Sequence, residues 1–234
     1  MLDAHSHPAP RRHKLRAGWR VCPSLGLDRG VLKHLEDARA FDKDPPDAVG
    51  PAGGAEPACR LSFDRPVPPG GYAWWYLDAL SDDGQEALTL IAFVGSVFSP
   101  YYAWAGRRDP LDHAAVNVAL YRRGSGRWTL TERGRGDLQR TADSLQVGPS
   151  ALWRDGDALQ VAVNERGWPI PRRVRGHVRL VPEVAGGPAH VLSVPGAHHW
   201  WPLAPRARVE VTFTQPAVRW SGTGYLDCNW GAEP

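Results

Sequence analysis

The sequence predicts an all-β protein built as an antiparallel barrel or sandwich, and three observations indicate this. Eleven Trp, 22 Pro and 25 Gly stand against a single Met, and Pro and Gly at that density break helices and separate short strands. Apolar and charged residues alternate with a period of two in segments 173–180 and 206–213, which is the pattern of half-buried strands. After residue 60, segments with a helical period are almost absent.

Residues 1–58 differ in composition from the rest of the chain. They are rich in Pro, Gly, Ala, Arg and His, and their one amphipathic stretch is 31–38. We predict a mostly disordered leader here, with a basic arm that touches a membrane as the alternative. Residues 59–234 are then the β-rich region.

Short apolar runs separated by turn residues predict the strands in order. Residues 72–78 are aromatic and strand-like, and the Asp-Gly step in 81–84 favours a tight hairpin turn. The run 88–94 is apolar at almost every position, which predicts a strand buried on both faces. Further strands are predicted at 116–121, 128–132, 159–163, 173–180 and 206–213. A closed barrel with a hydrophobic lumen would suit an apolar ligand.

Composition also excludes several classes of protein. The net charge is only +3 and the Lys and Arg residues are scattered, so nucleic acid is not expected as a partner. Cys22, Cys59 and Cys228 are too far apart for a CxxC motif, which argues against a disulfide framework and a zinc site and fits a reducing compartment. No signal peptide and no run of about 18 apolar residues is recognised. We therefore expect a cytoplasmic protein or one on a membrane surface.

Aromatic residues are grouped in four clusters, within 72–76, 98–104, 198–202 and 220–230. Aromatic rings normally fill a core, and that reading stays open for each cluster. Their joint excess predicts a ring-lined pocket, in which each well-placed ring would stabilise a carbocation by about 0.5–2 kcal/mol. The predicted substrate contacts are Trp74, Trp75, Tyr76, Phe98, Tyr101, Tyr102, Trp104, Trp201 and Trp220.

Long stretches of the chain, among them PGGYAWWYLDALSDDG (69–84), HHWWPLAPRARVEV (198–211) and WSGTGYLDCNWG (220–231), resemble the carotenoid 1,2-hydratases, also called hydroxyneurosporene synthases. The resemblance covers about residues 62–234. It implies lipocalin-like β-domains and hydration, without a cofactor, of the terminal C1–C2 double bond of acyclic carotenoids such as neurosporene and lycopene. It also implies carotenoid biosynthesis in photosynthetic bacteria. Because such a hydrocarbon has almost no aqueous concentration, we expect a cytoplasmic protein in peripheral contact with lipid at the inner membrane surface. Family members look longer, so we expect a C-terminally shortened relative.

Hydration of such an alkene requires a proton donor, and Asp227 is the predicted one. A carboxylic acid in an apolar pocket has a raised pKa, which suits it to general acid catalysis. On a strand, Tyr225 and Asp227 share a face, as do His198 and Trp200. The resemblance assigns the catalytic His to His198. We predict that Asp227 protonates the alkene, that Trp200 and Tyr225 flank the cation, and that His198 orients or relays protons to water. The alternative for Asp227 is a turn position.

Other acidic residues are weaker candidates. Asp78 and Glu132 could line the cavity, although pairing with Arg or capping a turn is the commoner role. Asp82 and Asp83 are expected to form a hairpin turn, and neither a metal nor an organic cofactor is expected. The Phe98–Trp104 segment is expected to be a loop at the entrance from a bilayer, with a buried loop as the alternative. Two rival functions remain, a non-catalytic carotenoid carrier and an inactive hydratase fragment.

Overall fold

The computed structural model describes residues 61–167, 170–192 and 198–233. The leader predicted for 1–58, with its amphipathic stretch, lies outside the described residues. Within them the fold is all-β and antiparallel, which confirms the predicted class. The predicted hairpin turn after Ser81 is also present, with Gly84 at φ +68° as a tight Asp-Gly turn requires.

In the described part of the chain, twelve antiparallel strands form one sheet, in the order β4-β3-β2-β1-β12-β11-β9-β8-β7-β6-β5, with the short β10 beside β11. Their bounds are β1 Tyr72–Ser81, β2 Glu86–Val94, β3 Ala114–Arg122, β4 Ser125–Arg133, β5 Leu138–Arg140, β6 Ser144–Val147, β7 Ser150–Asp155, β8 Ala158–Arg166, β9 Arg173–Val184, β10 His190–Val191, β11 His198–Gln215 and β12 Ala217–Gly231.

The sheet curls into a nearly closed barrel, because β4 at one edge approaches β8. Arg133 on β4 donates to both carboxylate oxygens of Glu165 on β8, at 3.2 and 2.8 Å. Ser150 Oγ also donates to Glu165, at 2.5 Å. Gly148 leaves room for this ion pair, since a Cβ there would lie 2.3 Å from Arg133 Nε. A buried charge pair therefore joins the two strands.

One face of each of seven strands, β1, β2, β3, β8, β9, β11 and β12, builds the core. Trp75 and Leu77 from β1, Leu226 and Cys228 from β12, and alternate residues of β2, β3, β8, β9 and β11 form a single apolar cluster. The predicted hydrophobic lumen is thus filled by side chains. In β2 both faces are largely buried, as the sequence predicts. The intervening residues of β1, β11 and β12 point to the opposite face.

The Phe98–Trp104 segment contains a short helix, α1 (Pro100–Trp104), so the prediction of a loop there is wrong. Ser99 caps α1 by accepting from the Tyr102 N–H, and Pro100 occupies the first turn, where its missing N–H is tolerated. The Tyr102 hydroxyl donates to Gly71 O at 2.8 Å and its side chain is buried. Tyr102 therefore anchors α1 to the start of β1.

Glu165→Gln should destabilise the protein by roughly 3–5 kcal/mol, because it leaves the Arg133 guanidinium without its buried counter-charge. Urea denaturation followed by fluorescence measures this free energy of unfolding. Glu183→Gln is the matched control, since Glu183 pairs with Arg206 on the exposed surface and its loss should change little. Equal effects of the two substitutions would contradict the role of this pair in barrel closure.

Candidate active site

Three adjacent strands, β1, β12 and β11, bring the predicted catalytic residues to one face. Asp227 lies between Tyr76 of β1 and Pro202 of β11, and Asn229 lies between Trp74 and Trp200. Because side chains alternate along a strand, every second residue points the same way. We call this the site face. It carries Tyr72, Trp74, Tyr76 and Asp78 from β1, His198 and Trp200 from β11, and Tyr225, Asp227 and Asn229 from β12.

Asp227 is the centre of a hydrogen-bond network on the site face. Its Oδ2 accepts from the Tyr225 hydroxyl at 2.9 Å and from Trp200 Nε1 at 3.0 Å. Its Oδ1 accepts from Asn229 Nδ2 at 2.8 Å. Two donors occupy the lone pairs of Oδ2, whereas one occupies Oδ1, so Oδ1 is the oxygen with room for a proton.

Burial raises the pKa of the Asp227 carboxyl from 3.8 to about 7. The main cause is loss of hydration, since the side chain is only 7% exposed. Hydrogen bonds from Tyr225, Trp200 and Asn229 act in the opposite direction because they favour the ionised form, and the charge of Asp78 raises the pKa further. Asp227 therefore holds a proton near neutral pH and is also able to release it.

His198 joins the network through both ring nitrogens. Its Nε2 lies 3.2 Å from Asn229 Oδ1, and its Nδ1 is hydrogen bonded to the Tyr72 hydroxyl. Asn229 donates to Asp227 through its Nδ2, so its Oδ1 must accept from His198 Nε2. In a neutral His198 the hydrogen is therefore on Nε2, and Nδ1 accepts from the Tyr72 hydroxyl. An amide group does not readily pass protons along, so this arrangement orients the Asp227 carboxyl.

Asp78 is a second carboxyl on the site face. It is 1% exposed, accepts from Thr89 Oγ1 at 2.6 Å and also accepts from the Tyr76 hydroxyl. The rings of Tyr76 and Tyr225 meet edge to face at 6.4 Å between their centroids. Burial and the neighbouring carboxyls raise the pKa of both tyrosines far above the usual range, so both remain hydrogen-bond donors.

Aromatic rings lead from α1 to this network. The rings of Phe98 and Phe93 are 5.5 Å apart, those of Phe93 and Trp74 6.2 Å, and those of Trp74 and His198 5.7 Å between centroids. Trp74 also stacks on Tyr72 at 4.9 Å. We call these five residues the aromatic strip. Since Phe98 is 62% exposed, the strip connects the protein surface with the surroundings of Asp227.

Several predicted substrate contacts lie elsewhere. Trp75 and Trp201 belong to the core on the opposite face, and Trp201 Nε1 donates to Gly187 O at 3.0 Å. Tyr102 is the buried anchor of α1. Trp220 lines a cavity at the far end of the barrel, between the β3–β4 and β11–β12 hairpins, and Asp227 does not line that cavity. The structure brings only Trp74, Tyr76 and Phe98, of the predicted contacts, to the site face or the aromatic strip.

Within the part of the chain that the structure describes, no group of three or more His, Cys, Asp or Glu residues is arranged to hold a metal ion. His199, which follows the predicted catalytic His198, points away from it and stacks on Trp230 at 4.9 Å. Likewise, no helix among the described residues is long and apolar enough to cross a membrane.

A family model for the carotenoid hydratase CrtC matches residues 90–234, the segment that contains β11 and β12. This chain belongs to the carotenoid hydratase CrtC family. Two relatives, each named acyclic carotenoid 1,2-hydratase, come from Thiocapsa roseopersicina and Rubrivivax gelatinosus. The first is 56% identical over 80% of this chain and 47% of that protein. The second is 55% identical over 74% of this chain and 44% of that protein.

The chain therefore spans about half the length of these CrtC-family relatives. Among solved structures, kievitone hydratase from Nectria haematococca is similar with a TM-score of 0.43 and 13% identity. That likeness covers 70% of this chain and 49% of the other.

Two residues of the site face, Tyr72 and Asn229, are absent from the sequence-based prediction, and a third, Asp78, ranks there only as a weaker candidate. Their spacing in the sequence indicates membership. Asn229 lies two residues after Asp227, and Tyr72 and Asp78 lie an even number of residues from Trp74, so on a strand these side chains share a face. Glu132, the other weak candidate, lies away from the site face and accepts from Ser99 and from His113 Nδ1, the latter at 2.5 Å.

The raised pKa of Asp227 predicts a pH-dependent cost to stability. The folded protein holds the proton up to about pH 7, whereas the unfolded chain loses it near 3.8. Stability is thus lost as pH rises through this window. The whole window corresponds to a free energy on the order of 4 kcal/mol. Asp227→Asn removes the ionisable group, so the variant should exceed the parent in unfolding free energy at pH 8 and approach it near pH 4.

Thermal and urea denaturation across this pH range measure the difference. Asp82→Asn is the control, because Asp82 is paired with Arg208 on the exposed surface at 2.6 Å. A difference between Asp227→Asn and parent that stays constant with pH would contradict the raised pKa.

Proposed function

We propose that this chain hydrates the terminal C1–C2 double bond of acyclic carotenoids, such as neurosporene and lycopene, in carotenoid biosynthesis. The observation that carries the proposal is the buried Asp227 carboxyl, which has a pKa raised to about 7 and lies among aromatic side chains. Family membership and the names of the relatives support the same reaction. The acid and water suffice for the steps below, so no cofactor takes part in them.

The reaction begins with transfer of the proton on Asp227 Oδ1 to C2 of the alkene. The π electrons of the double bond form the new C–H bond and leave a tertiary cation at C1. Water then adds its oxygen to C1, and the proton it loses returns to the Asp227 carboxylate. Atoms and charge balance over the cycle, and the acid is restored. General acid help of this kind contributes about 10²–10⁴-fold to a rate.

Side chains around Asp227 supply the remaining requirements. The rings of Trp200 and Tyr225 flank the carboxyl, so a cation formed beside it lies near their π electrons, an attraction worth about 0.5–2 kcal/mol per ring. Their hydrogen bonds to Oδ2 hold the acid in place. His198 acts on the acid indirectly, because it fixes the Asn229 amide that contacts Asp227 Oδ1.

A carrier of carotenoid would need the same rings but no acid. A buried carboxylic acid costs stability in its ionised form, and a purely binding surface has no use for that cost. The buried acid therefore favours an enzyme over a non-catalytic carotenoid carrier. Mixing the purified protein with lycopene separates the two, because a carrier returns the pigment unchanged.

Asp227→Asn should lower the rate of hydration at least a hundredfold while pigment binding persists, because the amide keeps the size of the side chain but has no acidic proton. The hydrogen-bond network can adjust, since the Asn229 amide and the His198 ring each contain a donor and an acceptor. Product formation is measured by chromatography of pigments extracted after incubation with lycopene. A folded Asp227→Asn variant that works at the parent rate would contradict the assignment.

Substitutions of neighbouring residues should follow a definite order. Tyr225→Phe retains the ring and should cost less activity than Tyr225→Ala, whereas His198→Ala should lower the rate more than it lowers binding. In heavy water, deuterium should appear at C2 and solvent oxygen at C1, as mass spectrometry of the product would show. Label at any other carbon would exclude the tertiary cation at C1.

We also propose that pigment reaches the site from a bilayer by way of α1. The side chains of Phe98, Tyr101 and Trp104 are 62%, 63% and 78% exposed, and Arg108 follows on the exposed surface. Aromatic rings settle at membrane interfaces, and each basic residue adds about 1 kcal/mol of attraction to anionic lipid. The aromatic strip then continues from Phe98 towards Asp227. This route requires the protein to lie on the inner membrane surface, in peripheral contact with its lipid.

Replacing Phe98, Tyr101 and Trp104 together with Ser should weaken binding to anionic liposomes at least tenfold in a sedimentation assay. Turnover of carotenoid embedded in liposomes should fall with it, whereas turnover in detergent should persist. Trp128→Ser is the control, because Trp128 is an exposed Trp on β4. Liposome binding by the triple variant at the parent level would remove α1 from the route. Tyr102 is unsuitable for this test because its buried side chain anchors α1.

A further inference from the structure

Asp78 and Asp227 occupy two corners of a block of four residues on the site face. In the register of β1 and β12, Tyr76 is opposite Asp227 and Asp78 is opposite Tyr225. The two carboxyls are therefore diagonal neighbours, a relation that places Cα atoms roughly 7–8 Å apart. Each tyrosine donates to the carboxyl on its own strand, so the pair is held by matching contacts.

We propose that Asp78 and Asp227 form a coupled carboxyl pair that retains one proton at neutral pH, with Asp78 as the positioning residue for the proton on Asp227. Asp78 acts through Asp227 and does not touch the alkene. The effect on turnover rests on the proposed function, whereas the shared proton does not depend on a substrate.

Burial makes it costly for both carboxyls to be ionised together. Asp78 is 1% and Asp227 7% exposed, and like charges in such surroundings repel strongly because little water screens them. Asp78 Oδ1 accepts from Thr89 Oγ1, and its Oδ2 accepts from the Tyr76 hydroxyl. These contacts favour a negative charge at Asp78, and that charge raises the pKa of the Asp227 carboxyl, so we place the shared proton on Asp227.

Other titratable groups surround the pair. They are Tyr72 and Tyr76 on β1, Tyr121 on β3, His190 on β10, His198 on β11, Tyr225 on β12 and, on the opposite face of β12, Cys228 with Arg65. Burial raises the pKa of Tyr72, Tyr76, Tyr225 and Cys228, so these groups stay neutral at pH 7. His198 is fixed by Tyr72 and Asn229.

The coupled pair has a consequence for the catalytic cycle. When Asp227 gives its proton to the alkene, two negative charges face each other for the lifetime of the cation. Their repulsion makes Asp227 a stronger base at the moment when water adds to C1 and must lose a proton. The same neighbour therefore keeps Asp227 protonated before the reaction and speeds recovery of the proton after it.

Infrared titration tests the pair without substrate. The C=O band of a protonated carboxyl is followed with pH in the parent, in Asp227→Asn to assign the band, and in Asp78→Asn. The step near neutral pH should be absent in Asp227→Asn. In Asp78→Asn it should move down by about one pH unit or more, because the neighbouring charge has gone.

An Asp78→Asn step at the same pH as in the parent would overturn the proposal. Asp82→Asn is the matched control, being the same change at an exposed residue on the same hairpin, and it should leave the step in place. If Asp78→Asn does not fold, Asp78→Ser carries the same test, since it removes the charge and is smaller than the parent side chain.

The pH profile of hydration gives an independent readout. In Asp78→Asn the alkaline limb of kcat/KM should shift to lower pH by the same amount as the infrared step, with activity retained on the acid side. A loss of equal size at every pH would indicate a structural role only and would count against the proposal. If the parent hydrates no carotenoid while the infrared step still moves, the proposed function fails and the coupled pair stands.

Discussion

The antiparallel pairing of β1 with β12 and of β12 with β11 is the constraint from which both the core and the site follow. Side chains alternate across a sheet, so the register that sends Leu226 and Cys228 into the core sends Asp227 to the opposite face. A slip by one residue would exchange them. Gly224 lets the strands approach closely, since a Cβ there would lie 2.3 Å from a methyl group of Val209. Packing of the core therefore fixes the position of the acid.

Much of this arrangement could be predicted from sequence because it depends on local patterns. Period-two alternation located β9 and much of β11, and an uninterrupted apolar run located β2. Spacing of two residues placed Tyr225 with Asp227 and His198 with Trp200, and hydrogen bonds now link Asp227 to Tyr225 and Trp200. These relations hold for any strand, whatever its neighbours.

Long-range relations could not be predicted in the same way. Asp78 is a diagonal neighbour of Asp227 only because β1 pairs with β12 in one register, and the chain separates the two by more than half its length. The ion pair of Arg133 with Glu165 depends on the curl of the whole sheet. Trp75 and Trp74 are adjacent and chemically alike, yet they lie on opposite faces. Knowing which ring faces the acid required knowing which side of the sheet is the core.

The aromatic face of α1 also affects how the protein behaves once it is removed from the cell. Phe98, Tyr101 and Trp104 expose large apolar surface, and in concentrated aqueous solution such surfaces associate with one another when nothing else covers them. Gel filtration without detergent or lipid would therefore measure self-association through α1 as well as any contact between barrels. Detergent that covers the three rings would suppress the association through α1 and leave only contacts between barrels.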